Sequence, residues 1–152
     1  MAGLEDAVIQ NNLPHLQSIL ESPHPPPIDS DLKSGRTALS FAARHGSLDC
    51  VRYLLEHAAT VDAPDTINAT PLLFAAEHGH DSTLQLLLSH RADPCTPLFD
   101  DTSPLFLATQ NGHLQSLKIL IHARGDIHVA RRGGFTRGDR VRGLTPGLTV
   151  AR

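Results

Sequence analysis

Apolar residues recur along this chain in two alternating sets, and the pair of sets itself returns every 33 residues. In the first set a Leu is followed three and four positions later by small residues: Leu39 with Ala42-Ala43, Leu72 with Ala75-Ala76, Leu105 with Ala108-Thr109. That spacing marks one face of a helix, and Ala lets a neighbouring helix approach closely. The second set, Val51, Leu54 and Leu55, then Leu84, Leu87 and Leu88, then Leu117, Leu120 and Ile121, predicts a second helix in each unit. Thr37-Ala38, Thr70-Pro71 and Ser103-Pro104 read as helix starts. There a hydroxyl caps free backbone N–H groups, and Pro suits the first helical position. Gly46, Gly79 and Gly112 fall between the two sets, where a left-handed backbone angle makes the tight turn. Polar connections such as Asp62-Ala63-Pro64-Asp65 lead into the next unit.

A unit this short cannot bury its apolar face alone, so the copies must stack and share an elongated core. The expected fold is therefore an all-α solenoid of helix-turn-helix units. Upstream, Ala7-Val8, Leu13, Leu16, Ile19 and Leu20 repeat the apolar spacing without the Thr-Pro opening, as a degenerate first unit offset by 35 residues. The difference falls in the loop from Ser22 to Gly35, which Pro23, Pro25, Pro26 and Pro27 make extended and stiff. It reads as a spacer, with a docking segment for a proline-reading domain as the alternative. Downstream the pattern restarts on schedule at Gly134-Phe135-Thr136 and breaks, with Gly138 where Leu belongs, Val141-Arg142 for the Ala pair and Thr145 for Gly. The expected organisation is residues 1–31 as a degenerate unit and Pro-rich loop, 32–130 as three full units, and 131–152 as an aborted fourth unit and Arg/Gly-rich disordered tail. Without a capping helix, the third unit's face around Leu105, Ala108 and Leu117 is expected to be poorly covered.

Over residues 32–130 the units resemble the ankyrin repeat. Thr70-Pro71-Leu72, Ala75-Ala76 and Gly79-His80 form the best copy, and Ser103-Pro104-Leu105 with Gly112-His113 the next. The resemblance implies paired helices with projecting hairpin loops, and a non-catalytic module that binds a protein or peptide on its concave strip. It also implies that His80 and His113 hydrogen-bond a loop backbone. Two columns depart from the family: its His after Leu is Ser40, Leu73 and Phe106 here, so the usual Thr-to-His network should be missing. The Gly that ends its second helix is Ala58, Arg91 and Arg124, which removes the easiest left-handed cap, and a modest melting temperature is expected.

In that geometry hairpin tips and the outward side of the first helices form the concave strip, and loop tips carry recognition because packing does not fix them. The corresponding residues are Lys33, Ser34, Arg36, Arg44 and His45 in the first full unit, Thr66, Ile67, Ala69, Glu77 and His78 in the second, and Phe99, Asp100, Thr102, Gln110 and Asn111 in the third. They run from basic to acidic. Ile67 and Phe99 are apolar at expected tips, which makes them the anchor candidates; the alternative is that they fold back on neighbouring hairpins.

Composition adds limits. The 152 residues suit one domain with a net charge of −3, but the segment from Val129 onward carries +5, which leaves −8 on the rest. The Arg-rich tail reads as a solvated end, with an anionic partner or nuclear import as alternatives. Nucleic-acid stacking finds little support beside the lone Phe135. The ten His are expected to be structural or solvated, since none pairs with Cys or carboxylates at ligand spacing. No metal, cofactor or small-molecule substrate is expected. No phosphate loop, nucleophile elbow or His-Glu-x-x-His segment stands in the chain, Asp100-Asp101 read as solvated turn residues, and catalysis is not expected. Cys50 and Cys95 occupy different parts of the unit and suggest no disulfide, and Cys50 reads as a buried structural thiol. No apolar run approaches the ~20 residues of a membrane span, so an intracellular, cytoplasmic protein is expected, with the nucleus as alternative. Two rival functions stand beside the binding module: a targeting fragment of a longer ankyrin-repeat protein with an effector domain, and an anion binder acting through Arg131 to Arg142.

Overall fold

A computed structural model of the chain describes residues 2–123. These form eight helices in four antiparallel pairs: α1 (Ala2–Ile9) with α2 (Leu13–Leu20), α3 (Ala38–His45) with α4 (Leu48–Glu56), α5 (Pro71–His78) with α6 (Asp81–Ser89), and α7 (Pro104–Gln110) with α8 (Leu114–His122). Among the described residues the only β pairing is an isolated bridge between Lys33 and Arg36. The first helices α1, α3, α5 and α7 pack in one row and the second helices α2, α4, α6 and α8 in another, which is the all-α solenoid of the sequence pattern. No described helix is long and apolar enough to cross a membrane.

The helix starts follow from the hydroxyl residues. Thr37, Thr70 and Ser103 have extended backbone, and their side chains accept from the amides of Ser40, Leu73 and Phe106 at 3.4, 3.4 and 3.2 Å. Gly46 and Gly79 end α3 and α5 in the left-handed region, at φ 69° and 70°. At the third turn Asn111 caps α7 with ordinary angles and Gly112 takes the positive φ of 75°. Leu39, Leu54, Leu72, Leu84, Leu87 and Leu120 are fully buried in one core that runs the length of the stack, and the degenerate unit contributes Leu4, Val8 and Leu16.

Adjacent units are joined by contacts that repeat at the sequence period. The His80 ring lies on Gly46 and its Nε2–H donates to the Arg44 carbonyl at 2.9 Å; the His113 ring lies on Gly79 and donates to the Glu77 carbonyl at 3.0 Å. Both imidazoles therefore bind main-chain carbonyls of the preceding unit, but in the last turns of α3 and α5 rather than in a loop as the resemblance implied. On the far side of the loops the Thr60 amide donates to Asp29 and the Asp93 amide to Asp62. Where the family's His is replaced, Ser40 keeps a side-chain contact with Thr37 at 3.4 Å, whereas Leu73 and Phe106 are buried as apolar packing.

The left-handed cap persists without its glycine, taken up by residues that carry a Cβ: Ala58 and Arg91 enter it at φ 64° and 65°. The turn is held by the amides of Ala59 and Ala92, which bond back to Leu54 and Leu87 carbonyls while both side chains are buried. Arg124 lies outside the described residues. A left-handed residue with a Cβ costs roughly 1–2 kcal/mol, so Ala58→Gly is expected to raise stability by about 1 kcal/mol in urea titration; no gain would mean that the strain is relaxed by the loop. The third unit, in turn, is better covered than expected: Leu105 and Ala108 are buried and Leu117 half-buried, and the exposed apolar side chains of α8 are Leu114 and Ile121. The expectations for the aborted fourth unit and the Arg-rich tail also lie outside the described residues.

Cys50 is fully buried with its Sγ 3.9 Å from the Ala7 carbonyl, and neither cysteine forms a disulfide. Burial, then the Asp49 carboxylate, pushes the Cys50 thiol up to about 11, as suits a structural thiol.

Candidate functional site

Between one helix pair and the next the chain projects as a short loop, closed each time by the same backbone bond. The amides of Leu32, Asp65 and Leu98 donate to the carbonyls of Arg36, Ala69 and Thr102 at 2.9, 3.0 and 2.9 Å. Each loop contains a left-handed residue at one column, Gly35, Asn68 and Asp101. Gly, Asn and Asp are the residues that tolerate this conformation best. The tips are then laced together: the Thr66 amide donates to the Ser34 carbonyl at 3.1 Å and the Phe99 amide to the Ile67 carbonyl at 3.3 Å. Asn68 Nδ2 adds a bond to the Pro97 carbonyl at 2.7 Å. The row of tips is thus a held surface rather than a set of loose fingers.

Ile67 and Phe99 stand on adjacent tips, 49% and 67% exposed, so neither folds back into a neighbour. Ser34, Thr66 and Asp100 are exposed beside them, and the Asp100 carboxylate accepts from the Thr102 amide at 3.0 Å. At the helix ends His45, His78, Gln110 and Asn111 are exposed, and Arg44 and Glu77 are half-buried. Asn111 donates to the Glu77 carbonyl at 2.8 Å.

Other members of the expected strip do not present themselves. Ala69 and Thr102 are buried, at 0% and 4% exposure. They stand at the base of the hairpin, where the loop rejoins the helix layer, and Ala69 packs in a small cluster with Leu73 and Phe74. Among the described residues the Thr102 hydroxyl has no hydrogen-bond partner. Arg36 occupies the same column, but its Nε donates to the buried Asp65 carboxylate at 3.0 Å while the guanidinium lies 4.8 Å over the Phe74 ring. Lys33 is exposed yet paired with Glu5 at 2.8 Å. Both basic residues of the first loop are therefore neutralised in place, and the expected gradient from basic to acidic is weaker than the charges alone imply. Glu5 and Asp65 are the functional neighbours that the sequence did not reveal. Asp65 had a local signal, an acid two and four residues before amides that need an acceptor.

The strip's remaining formal cation, Arg44, stands at the end of α3 beside His45, and His78 stands at the end of α5. Partial desolvation at the helix end first, then the neighbouring Arg44, His78 and His80, hold the His45 imidazole below its ordinary range, against a smaller opposing pull from Glu5. His78 Nδ1–H donates to the Phe74 carbonyl at 3.0 Å and lies 3.6 Å from a Glu77 carboxylate oxygen, and its ring is parallel to that of His80 at 6.1 Å. Among the described residues no group of three or more His, Cys, Asp or Glu is arranged to hold a metal ion. The arrangement offers contact chemistry: two apolar side chains on rigid tips, acids beside them, and a base-rich patch at the helix ends.

Comparison with known proteins agrees with this geometry. The family model for ankyrin repeats in three copies matches residues 4–97, which includes the degenerate first unit, and the model for a single ankyrin repeat matches residues 100–132. No curated protein matches the chain. The chain belongs to the ankyrin repeat family, whose repeats are generally protein–protein interaction modules and typically non-catalytic.

Proposed function

We propose that this chain is a non-catalytic interaction module that takes a protein or peptide partner on the row of hairpin tips and first-helix ends, with Ile67 and Phe99 as its apolar anchors. The observation that carries the reading is the pair of large apolar side chains exposed on adjacent tips whose backbones are bonded to each other. Water around them is released when a partner covers them, and a held backbone means that little conformational entropy is lost on binding. Interfaces concentrate their energy in a few such residues.

Panning a displayed peptide library on the folded chain and remeasuring selected peptides against variants tests this. Phe99→Ala is expected to weaken binding by about tenfold or more, the usual size for a central aromatic anchor. Its melting temperature should match that of the wild type, because the ring packs on little. Arg52→Ala, on the exposed side of α4, should stay within about twofold. Peptides that bind Phe99→Ala and the wild type equally would place the partner surface elsewhere.

A further inference from the structure

Between α2 and the first hairpin the chain runs through Pro23, Pro25, Pro26 and Pro27, a run without counterpart in the other connections. Its conformation follows from sterics. A proline ring fixes φ at about −65°, and a residue that precedes proline is pushed to extended ψ. Pro25 and Pro26 are subject to both restraints, so they take the polyproline geometry, a left-handed helix of about three residues per turn without internal hydrogen bonds. Successive rings then point along three edges of a prism. Both ends of the run are tied to the second-helix row. The Tyr53 hydroxyl on α4 donates to the Glu21 carboxylate at 3.1 Å, and the Asp29 carboxylate accepts from the Thr60 amide at 3.0 Å and from its hydroxyl at 2.6 Å. The Ser30 amide closes a turn on the Pro27 carbonyl at 3.0 Å. One edge of the prism faces inward: Pro26 is half-buried and lines a cleft with Leu4 of α1, Ile19 of α2 and Leu32. The other two edges, Pro25 and Pro27, are exposed. Among the described residues no donor reaches the Pro25 or Pro26 carbonyl.

We propose that Pro25–Pro27 is a preformed docking ridge for a protein domain with an aromatic-lined, proline-reading groove, a second interaction site apart from the hairpin tips. Shape, chemistry and entropy carry it together. The flat rings of Pro25 and Pro27 present two adjacent edges to an aromatic groove, while the third edge rests on the body, so a partner can approach without dislodging Pro26. The open carbonyls of Pro25 and Pro26 are acceptors for the indole N–H or phenol O–H that such a groove carries. Ring closure and the two tied ends have already removed most of the freedom that a loose peptide would lose on binding. The ridge does not depend on the tip-row reading, because its ties run to Tyr53 and Thr60 rather than to the tips.

The test pans a displayed library of isolated SH3, WW and EVH1 domains on the full chain. A selected domain is then titrated with the chain while the fluorescence of its groove tryptophan is followed; the chain has no Trp, so the signal belongs to the domain. A saturable change in emission is expected. Affinity should fall about tenfold or more in Pro25→Ala/Pro27→Ala and stay within about twofold in Phe99→Ala. Because both proline rings are exposed, the double variant should melt with the wild type by circular dichroism. If it melts earlier, the free peptide of residues 21–29 decides instead: it should displace the chain from the domain, at several times the concentration because its ends are untied. Selection of no domain, a tryptophan that does not respond, or an affinity that the folded double variant leaves within about twofold would each overturn the proposal. So would a peptide that fails to displace the chain, or a loss in Phe99→Ala as large as that in the double variant, which would move the contact to the tips.

Discussion

Asp65→Ala is expected to lower the stability of the chain by about 3 kcal/mol, the largest single effect in the molecule outside its apolar core. The Asp65 side chain is 1% exposed and serves three donors. One oxygen accepts from the amides of Ile67 and Ala69, each at 2.9 Å, and the other from Arg36 Nε at 3.0 Å. Ala leaves two amides of a closed loop without an acceptor and a half-buried guanidinium without its counter-charge, and a charge stranded in this way costs more than the pair contributed. Asp65→Asn separates the two parts. It keeps an oxygen for the amides and withdraws only the charge, so it should cost about 1–1.5 kcal/mol. Urea denaturation followed at the helix signal measures both. A loss under 1 kcal/mol for the Ala variant would show that the hairpin is held by its neighbours' backbone bonds instead. The loop also carries Ile67, so the same residue that closes the hairpin sets one anchor in place.

The stack was legible in the sequence because nearly everything that builds it is copied three times. The Thr or Ser caps, the turn glycines and the Leu and Ala columns each occupy equivalent places in the structure, and even contacts between units keep the period, as with His80 on Gly46 and His113 on Gly79. Features that occur once were harder to read. The column holding Arg36, Ala69 and Thr102 varies between units just as a recognition position would, yet it lies at the hairpin base. Its variety reflects what each base packs against: only Arg36 has a buried acid to meet and an aromatic ring to cover. The Lys33–Glu5 pair joins residues 28 apart, on either side of an irregular Pro-rich loop, so no period announces it. The cap columns taught the converse lesson. Replacing Gly by Ala58 and Arg91 changed the residue but not the conformation, because the backbone bonds and the buried Ala59 and Ala92 over-determine the turn. The exposure of Ile67 and Phe99 follows from the tip-to-tip bonds, which fix the backbone and leave these side chains pointing away from it.

Gly79→Ala is the second large effect, and its comparison with Gly112→Ala isolates the joint between units. Both glycines have a positive φ, 70° and 75°, so each substitution bears the left-handed penalty of roughly 1–2 kcal/mol. Their surroundings differ. A Cβ on Gly79 would stand 2.5 Å from Nδ1 and 2.8 Å from Cγ of His113, whereas among the described residues nothing lies within 4 Å of one on Gly112. The ring cannot slide away by bending at its far end, since the atoms approached include the one joined to its own Cβ. It must rotate and release the Glu77 carbonyl, a further loss of about 1 kcal/mol. Gly79→Ala should therefore cost about 2–3 kcal/mol and Gly112→Ala about 1–2 kcal/mol. Adding His113→Ala decides whether the difference is the imidazole. With the ring gone, Gly79→Ala should cost no more than Gly112→Ala, which gives a coupling of about 1 kcal/mol in the double-mutant cycle. Equal losses in the presence of His113 would mean that the ring finds another seat. The periodic His-on-Gly contact would then be a consequence of stacking rather than one of its causes.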